Sequence, residues 1–240
     1  MFRNKMSEKI NLICLPFAGG NRYSYRPLFN ESSAIFNVVT LEYPGRGTRI
    51  FEELTADINK LVNDLFDQLK PVLSKGDYAL YGHSLGGLLT YLLVLKIREN
   101  NYKSPRHVFI TGASGPSAPS RQTKKFHLYP HKEFIEEVIV LGGMPHEILQ
   151  DSAMMEFLEP ILRNDFKVSE TYVHQVAEPL NIPFTVITGI DEDLTAEDVL
   201  LWQNESIPAV DFKQLDGNHF FIMQHRDFII NAIAEKLTNN

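Results

Sequence analysis

The sequence predicts an α/β domain with a mostly parallel central sheet and helices on both of its faces. Short apolar runs rich in β-branched and aromatic residues alternate with helical patterns along most of the chain, as in folds built from parallel strands. A chain of 240 residues with 44% hydrophobic content is also large enough to bury a substantial core. We therefore expect a single domain over residues 1–240, with a helical insertion at about 116–179.

The predicted strands come from short runs in which β-branched, leucine and aromatic residues dominate, several of them ended by Pro or Gly. These runs are Ile10–Leu15, Asn37–Glu42, Tyr78–Tyr81, His107–Thr111, Phe184–Thr188 and Val210–Leu215. Between them, apolar residues recur at helical spacing, which predicts amphipathic helices. The clearest helical patterns are Leu54–Leu73, Leu85–Glu99 and Phe228–Leu237. This alternation predicts a parallel sheet that is covered on both faces.

The interval from about Pro116 to Pro179 breaks the alternation, because it contains no convincing strand pattern. A turn-rich start, GPSAPSRQ, is followed by short helical patterns. We interpret the interval as a helical insertion over the ends of the strands. Its helical pieces are predicted near His131–Leu141, Pro145–Leu149, Ser152–Arg163 and Asp165–Val176.

Charge and hydropathy exclude several classes of protein. The formal net charge is −7, and binding to a phosphate backbone requires a concentration of Lys and Arg that is missing here, so no nucleic-acid partner is expected. The longest apolar run, Leu88–Ile97, is interrupted by polar residues and is much shorter than the ~20 residues that a membrane span requires. We expect no membrane partner, and because nothing indicates an obligate dimer, we expect a monomer.

The cellular compartment is inferred from the first residues and the cysteine content. The stretch MFRNKMSEK is charged and leads into the first predicted strand without an apolar signal segment. Cys14 is the single cysteine, which excludes an internal disulfide and a thiolate-cluster metal site. We therefore expect a cytoplasmic protein in which Cys14 is a buried, unreactive thiol.

The segment Gly82-His83-Ser84-Leu85-Gly86 lies between a predicted strand and a predicted helix. A Gly-x-Ser-x-Gly sequence in that setting is typical of the nucleophile elbow of α/β-hydrolases, in which a strained turn exposes the serine hydroxyl. Glycines are expected there because neighbouring backbone passes close to the turn. Ser84 is the candidate nucleophile, and the Leu85 N–H at the helix start is a candidate oxyanion donor.

A serine nucleophile requires a general base and an acidic residue that orients the base, in the chain order Ser, acid, His for this fold. Among the eight histidines, His219 follows the last predicted strand and precedes the last predicted helix, which is the expected place. The acid is expected after the strand Phe184–Thr188, where Asp191, Glu192 and Asp193 compete. The residues alone leave this choice open.

A second oxyanion donor is expected in the loop after the first strand. That loop reads LPFAGG, and its glycines allow the backbone to approach a reacting group closely. The N–H of Phe17 or of Ala18 is the candidate donor. Since the loop matches neither GxGxxG nor a P-loop, we do not predict a phosphate site.

A metal site is not predicted. His127 and His131 have the spacing of a helical metal pair, but Pro130 lies between them and no third ligand is evident. The chemistry expected of a serine nucleophile with a histidine base needs no cofactor.

Several separated segments together resemble the type II thioesterases, which are stand-alone editing enzymes of nonribosomal peptide and polyketide synthesis. In chain order the segments are LICLPFAGG, EYPGRGTR, YGHSLGG, LGGMP and LDGNHFF, so the resemblance covers nearly the whole chain. It implies an α/β-hydrolase fold in which the insertion forms a helical lid. It also implies hydrolysis of acyl or aminoacyl thioesters on the phosphopantetheine arm of an acyl- or peptidyl-carrier protein, with no cofactor and no metal.

The resemblance also implies roles for individual residues. By position, Ser84 matches the nucleophile, His219 the base, and the N–H groups of Ala18 and Leu85 the oxyanion donors. Arg46 and Arg49, in the segment EYPGRGTR, are candidates to contact an acidic carrier protein. The insertion would shape the acyl pocket, although most of its apolar residues are expected only to dock it onto the body. Those residues are Phe134, Ile135, Met144, Met154, Met155 and Phe157.

The family pattern gives two different matches for the acid. Counting back four residues from TAED at Thr195 gives Asp191, which lies 219 − 191 = 28 residues before the histidine. Counting from Gly189 instead gives Glu192, because the loop is one residue shorter than in the family pattern. We predict Asp191, with Asp193 or Glu192 in reserve.

Other functions are compatible with the same motifs. A carboxylesterase or an acyltransferase acting on small acyl substrates would use the same nucleophile, base and acid, and only EYPGRGTR and LGGMP favour the thioesterase. A non-catalytic module that binds an acyl ligand is the alternative from a different class. It is disfavoured because an intact Ser, acid and His in fold order is an improbable accident.

Overall fold

The computed structural model describes residues 9–29 and 36–238, and its strands form one six-stranded sheet in which neighbouring strands are parallel. The strands are β1 (Ile10–Leu15), β2 (Phe36–Thr40), β3 (Tyr78–His83), β4 (Val108–Thr111), β5 (Phe184–Gly189) and β6 (Asp211–Leu215). Their order across the sheet is β2-β1-β3-β4-β5-β6. The predicted parallel α/β architecture is confirmed. Residues 1–8, which carry most of the charged N-terminal stretch, lie outside the described part.

The connections between strands contain the helices. These are α1 (Ile58–Leu73), α2 (Leu85–Glu99), α3 (His131–Leu141), α4 (His146–Gln150), α5 (Ser152–Glu170), α6 (Ala196–Leu200), α7 (Phe221–Gln224) and α8 (Arg226–Thr238). The insertion between β4 and β5 contains α3, α4 and α5, as the sequence predicts. Within the described part of the chain, we find no helix with the combined length and apolar character needed to cross a bilayer.

The first helix begins later than its apolar pattern predicts. The pattern begins at Leu54, whereas α1 begins at Ile58. Asp57 is the reason, because its carboxylate accepts hydrogen bonds from the N–H groups of Asn59 and Lys60 at 2.9 and 3.2 Å. An aspartate in this position satisfies donors that have no partner inside the helix and so defines its first turn.

The last helix of the insertion is continuous where the sequence predicts two pieces. The predicted pieces Ser152–Arg163 and Asp165–Val176 are joined in α5, which ends at Glu170. Buried residues continue at helical spacing across the predicted break, which holds the whole segment against the body of the protein. These residues are Ile161, Leu162, Asp165 and Val168.

The core consists of two layers separated by the sheet. Alternate residues of β1 point to opposite faces, so that Ile13 packs in one layer and Leu12 and Cys14 pack in the other. The first layer contains the apolar faces of α1 and α2, and the second contains that of α8. Cys14 is fully buried, and burial raises the pKa of its thiol well above the usual range, which agrees with the expected unreactive cysteine.

His107 makes the stability of this core sensitive to acid. It precedes β4, is 3% exposed, stacks on Phe109, and places Nε2 2.9 Å from the hydroxyl of Thr185. Burial, and secondarily the charge of Lys236, lowers the pKa of His107 to about 4. In the unfolded chain this pKa returns to about 6.5. Below that pH the unfolded chain binds a proton that the folded protein does not, so stability is lost as the pH falls towards 4.

We expect this single histidine to remove about 2 kcal/mol of unfolding free energy between pH 7 and pH 5. Urea denaturation of the wild type and of His107→Gln at both pH values measures the effect. The variant is expected to lose correspondingly less stability on acidification than the wild type. An equal loss in both proteins would show that the His107 pKa is not depressed in the folded state.

Candidate active site

Ser84 occupies a strained turn between β3 and α2. Its backbone angles are φ 56° and ψ −121°, a region that a residue with a side chain rarely adopts. The Ser84 N–H donates a hydrogen bond to the carbonyl of Thr111 at 2.9 Å, and its own carbonyl accepts one from Gly87 at 2.9 Å. These bonds hold the strained backbone, and the half-buried Ser84 side chain lies at the carboxyl edge of the sheet.

The glycines of the motif are required by close backbone contacts. A Cβ atom on Gly82 would lie 2.1 Å from the carbonyl oxygen of Gly86. A Cβ atom on Gly86 would lie 2.1 Å from the carbonyl oxygen of Leu15 and 2.7 Å from that of Pro16. Side chains at either position would therefore push the start of α2 away from β3 and β1. The same contacts bring the loop after β1 against the elbow, as the sequence predicts.

His219 lies in the loop between β6 and α7, and its partner is Glu192. The Nδ1 atom of His219 is 2.5 Å from Oε1 of Glu192. The other carboxylate oxygen, Oε2, accepts the Gly189 N–H at 2.6 Å. The Glu192 side chain is 1% exposed and that of His219 is 16% exposed. A buried carboxylate on Nδ1 fixes the orientation of the ring and leaves Nε2 to face a reacting group.

The carboxylate that contacts His219 is Glu192 and not Asp191, the residue predicted from the sequence. Asp191 is exposed, and its backbone N–H donates to the carbonyl of Gly217 at 3.1 Å. Asp193 is also exposed, and its carboxylate pairs with Lys124. Of the three candidate carboxylates, Glu192 therefore is the one placed beside the histidine.

His83, which directly precedes Ser84, packs beneath the ring of His219. It is fully buried, its ring centroid is 4.8 Å from that of His219, and its Nδ1 is 3.1 Å from the hydroxyl of Thr111. Burial, and secondarily the charge of His219, holds the pKa of His83 well below its usual range. No local pattern in the sequence predicts that His83 contacts His219. Since His83 directly precedes Ser84, this contact brings the histidine loop to the elbow.

Gly112 makes room for this arrangement. It follows β4 with φ 57°, and a Cβ atom there would lie 2.5 Å from Cε1 of His83 and 3.0 Å from Oε1 of Glu192. No other residue type would leave both side chains in place. Sequence reasoning missed this position, because a single glycine after a strand resembles an ordinary turn residue.

The two predicted oxyanion donors lie on the elbow and on the loop that packs against it. Leu85 is the first residue of α2, and the first N–H groups of a helix have no acceptor within it. Ala18 lies in a tight turn that is closed by the Gly20 N–H donating to the carbonyl of Phe17 at 2.9 Å. The third residue of the turn, Gly19, has φ 74°. The carbonyls of Leu15 and Pro16, just before this turn, pack against Gly86 of the elbow.

The insertion borders the same site. Gly142 and Gly143, in the segment LGGMP, have φ 80° and 81°. A Cβ atom on Gly143 would lie 2.3 Å from ring carbons of Phe220, and one on Gly142 would lie 3.3 Å from Nδ2 of Asn218. Phe220 and Asn218 flank His219, so the α3–α4 loop packs directly onto the histidine loop.

The apolar residues of the insertion divide into docking and exposed groups. Phe134 is fully buried and packs with Leu162 in a small cluster, and Met155 is also buried. Met154 and Phe157 are exposed, at 41% and 50%. Phe134 and Met155 therefore stabilise the insertion, and the second pair is available to a ligand or partner.

Some residues singled out in the sequence have structural roles. Within the described residues, we find no group of three or more His, Cys, Asp or Glu arranged to hold a metal ion. His127 and His131 instead pair with Glu170 and Glu159. These contacts lie within the insertion and account for both histidines.

Arg46 and Arg49, predicted from the sequence as contacts for a carrier protein, form ion pairs within the molecule. Arg46 is 4% exposed and forms an ion pair with Asp165. Arg49 is 20% exposed and forms ion pairs with Glu52 and Asp64. Both guanidinium groups are therefore paired with carboxylates of the same chain.

Comparison with known proteins gives the family. The family model described as "Thioesterase domain" matches residues 10–237. The gramicidin S biosynthesis protein GrsT of Aneurinibacillus migulanus is 29% identical over 232 residues, which cover 96% of this chain and 90% of GrsT. The structure of ClbQ, from the colibactin NRPS/PKS pathway, superimposes with a TM-score of 0.90 at 29% identity, covering 97% of this chain and 98% of ClbQ.

A second solved structure agrees with this result. The type II thioesterase BorB, from the borrelidin biosynthetic cluster, superimposes with a TM-score of 0.87 at 29% identity, covering 96% of this chain and 94% of BorB. The resemblance to type II thioesterases is confirmed. The chain belongs to the thioesterase domain family and is a thioester hydrolase with the α/β-hydrolase fold.

Proposed function

We propose that this thioesterase removes wrongly attached or stalled acyl and aminoacyl groups from the phosphopantetheine arm of carrier proteins in nonribosomal peptide or polyketide synthesis. The observation that carries the proposal is the His219–Glu192 pair, which lies beside the strained Ser84 turn. The similarity to ClbQ and BorB, which come from the colibactin NRPS/PKS pathway and the borrelidin cluster, supports the substrate class.

In the proposed mechanism Ser84, His219 and Glu192 act as a catalytic triad. Nε2 of His219 takes the Ser84 proton while Oγ attacks the thioester carbonyl, and Glu192 binds the Nδ1–H so that the required tautomer is maintained. The tetrahedral intermediate collapses, and His219 returns the proton to the departing thiol of the carrier. A water molecule, deprotonated by His219, then cleaves the acyl-serine and restores Ser84.

The neutral state of His83 supports this chemistry. When His219 becomes an imidazolium, a second positive charge beside it would oppose proton transfer. The pKa of His83 is lowered by burial, so its ring remains uncharged at neutral pH. The buried Glu192 carboxylate is then the charge that faces the imidazolium, in a site where solvent screening is weak.

The oxyanion is proposed to bind the N–H groups of Leu85 and Ala18. Both donors belong to backbone that is fixed before substrate binds, the first by α2 and the second by the Phe17–Gly20 turn. A preorganised donor of this kind contributes about 3 kcal/mol to transition-state stabilisation.

The insertion at 116–179 is proposed to act as a lid that shapes the acyl pocket. Its LGGMP loop packs against the residues that flank His219, so it borders the reacting groups. Its exposed apolar side chains, Met154 and Phe157, are available to an acyl chain or to the carrier protein.

The substrate class is tested by measuring how fast the same acyl group is released from two different leaving groups. Acetyl or aminoacyl release is measured from a phosphopantetheinylated carrier protein and from a simple oxygen ester, with Ser84→Ala as the control. We expect rapid, Ser84-dependent release from the carrier and much slower cleavage of the ester. Fast ester cleavage with an untouched carrier would contradict the proposal and indicate a carboxylesterase. An ester or amide product in place of the free acid would indicate an acyltransferase.

A further inference from the structure

Arg46 and Asp165 form a buried ion pair next to the loop that follows β1. The exposed fractions of their side chains are 4% and 1%. Two parallel hydrogen bonds join them, from Nη1 to Oδ2 at 2.5 Å and from Nη2 to Oδ1 at 2.7 Å. Burial alone would lower the pKa of Arg46, but the hydrogen bonds and charge of Asp165 outweigh it and raise the pKa overall. The Arg46 guanidinium is therefore charged inside the protein.

Both members of the pair also bind the Phe17–Gly20 turn. Oδ2 of Asp165 accepts the N–H of Gly19 at 2.8 Å. Nη1 of Arg46 donates to the carbonyl oxygen of Gly20 at 3.3 Å. The ion pair thus holds two consecutive residues of the turn that contains Ala18.

The hydrogen bond to the Gly19 N–H restrains the central peptide of that turn. Gly19 is the third residue, with φ 74°, and the peptide between Ala18 and Gly19 is the one whose rotation converts one turn type into another. An acceptor on the Gly19 N–H keeps this peptide in a single orientation. The Ala18 N–H belongs to the Phe17–Ala18 peptide, whose carbonyl accepts the Gly20 N–H that closes the turn at 2.9 Å, so its direction depends on the turn remaining closed.

Helix α5 contacts the turn through a second residue. A Cβ atom on Gly19 would lie 2.5 Å from Cδ2 of Leu162, which is on α5 one turn before Asp165. Packing and the carboxylate therefore act on the turn from the same helix. The turn is anchored to the insertion as well as to β1.

We propose that Asp165, oriented by Arg46, is a positioning residue that keeps the Ala18 N–H directed at the acyl oxygen. The inference rests on the proposed function, in which Ala18 supplies an oxyanion donor. Asp165 touches neither substrate nor Ser84 in this role and acts only through the turn. The insertion thereby helps to build the oxyanion hole.

If the Arg46–Asp165 pair had only a structural role, its replacement as a whole would leave catalysis unchanged. A buried ion pair that is replaced as a whole by apolar residues often leaves a protein as stable as before, whereas removal of one partner is strongly destabilising. The double variant Arg46→Met with Asp165→Leu therefore separates the two roles. It removes the acceptor for the Gly19 N–H without leaving either member of the Arg46–Asp165 pair alone.

We expect the double variant to lower kcat by about 10- to 100-fold on an acylated carrier protein, with KM changed by less than about threefold. Its affinity for an alkyl boronic acid, whose boron forms a tetrahedral adduct with the serine, should fall in parallel with kcat. The matched control is Arg49→Met with Asp64→Leu. This removes another Arg–Asp pair from the same loop region, and it is expected to keep the wild-type kcat.

A folded Arg46→Met/Asp165→Leu protein with wild-type kcat and boronic acid affinity would overturn the inference. If that protein does not fold, Asp165→Asn decides by the same criteria, because an amide keeps the size but cannot satisfy both Arg46 and Gly19. An inactive wild type would overturn the proposed function and this inference with it. An active wild type with an unaffected, folded variant would overturn this inference alone.

Discussion

Replacing Ser84 with alanine is expected to lower thioester hydrolysis by about 10⁴-fold or more. The hydroxyl is the only part of the residue that the proposed mechanism uses, and alanine cannot form the acyl intermediate. The backbone at this position has φ 56° and is held by the hydrogen bond from its N–H to the Thr111 carbonyl, which does not involve the hydroxyl. The fold should therefore be unchanged.

Steady-state release of the acyl group from a carrier protein measures this effect. Thermal unfolding of the variant serves as the control and should match the wild type within a few degrees. Hydrolysis that persists in a folded Ser84→Ala protein at more than about a tenth of the wild-type rate would exclude the serine as the nucleophile.

Replacing Glu192 with glutamine is expected to reduce kcat by about 10³- to 10⁴-fold. The glutamine amide has nearly the same shape but no charge, so it does not stabilise the imidazolium, and it can present its NH₂ group to Nδ1 and favour the wrong tautomer. The loss should appear in kcat more than in KM, because the interaction strengthens in the transition state.

Asp191→Asn is the matched control for this experiment. It makes the same chemical change one residue earlier in the same loop, at a side chain that is exposed. We expect an activity within about twofold of the wild type, since a surface substitution of this kind has a small effect. A large loss in Asp191→Asn with little change in Glu192→Gln would restore Asp191 as the triad acid.

The parallel sheet and the insertion could be predicted from the sequence because both depend on local patterns. Apolar runs such as Ile10–Leu15 and Phe184–Thr188 are buried on both faces, so their composition alone indicates strands. The Ser84 motif was recognisable for a similar reason, since the elbow needs a fixed arrangement of glycines around the serine. The positions of Ser84 and His219 in the chain order follow from the order of the strands.

The carboxylate that contacts His219 could not be chosen from the sequence because three carboxylates compete within the loop 191–193. Which of them faces His219 depends on how the loop leaves β5, where the Gly189 N–H donates to Oε2 of Glu192 at 2.6 Å. Two counting rules gave different residues, and the one measured from Gly189 agrees with the structure. The contacts that set the path of a loop after a strand shift when the loop changes in length by one residue, so counting along the sequence does not identify the residue that makes them.

The role of Arg46 was missed for a different reason. Its partner, Asp165, is 119 residues away in sequence, and no local pattern connects the two. An arginine in a glycine-rich loop is usually exposed, so the sequence favours a surface role. Asp165 was placed at the start of a separate predicted helix, and only the continuity of α5 brings its carboxylate to the turn at Gly19.

The most direct test of the central claim is detection of the acyl group on Ser84. The enzyme is mixed with an acylated carrier protein, quenched within one turnover, and analysed by intact-protein and peptide mass spectrometry. We predict an added acyl mass on the peptide that contains Ser84, together with free carrier thiol, and neither product in Ser84→Ala. Release of the acyl group without any acyl-enzyme, and equally fast in Ser84→Ala, would contradict the proposed triad mechanism.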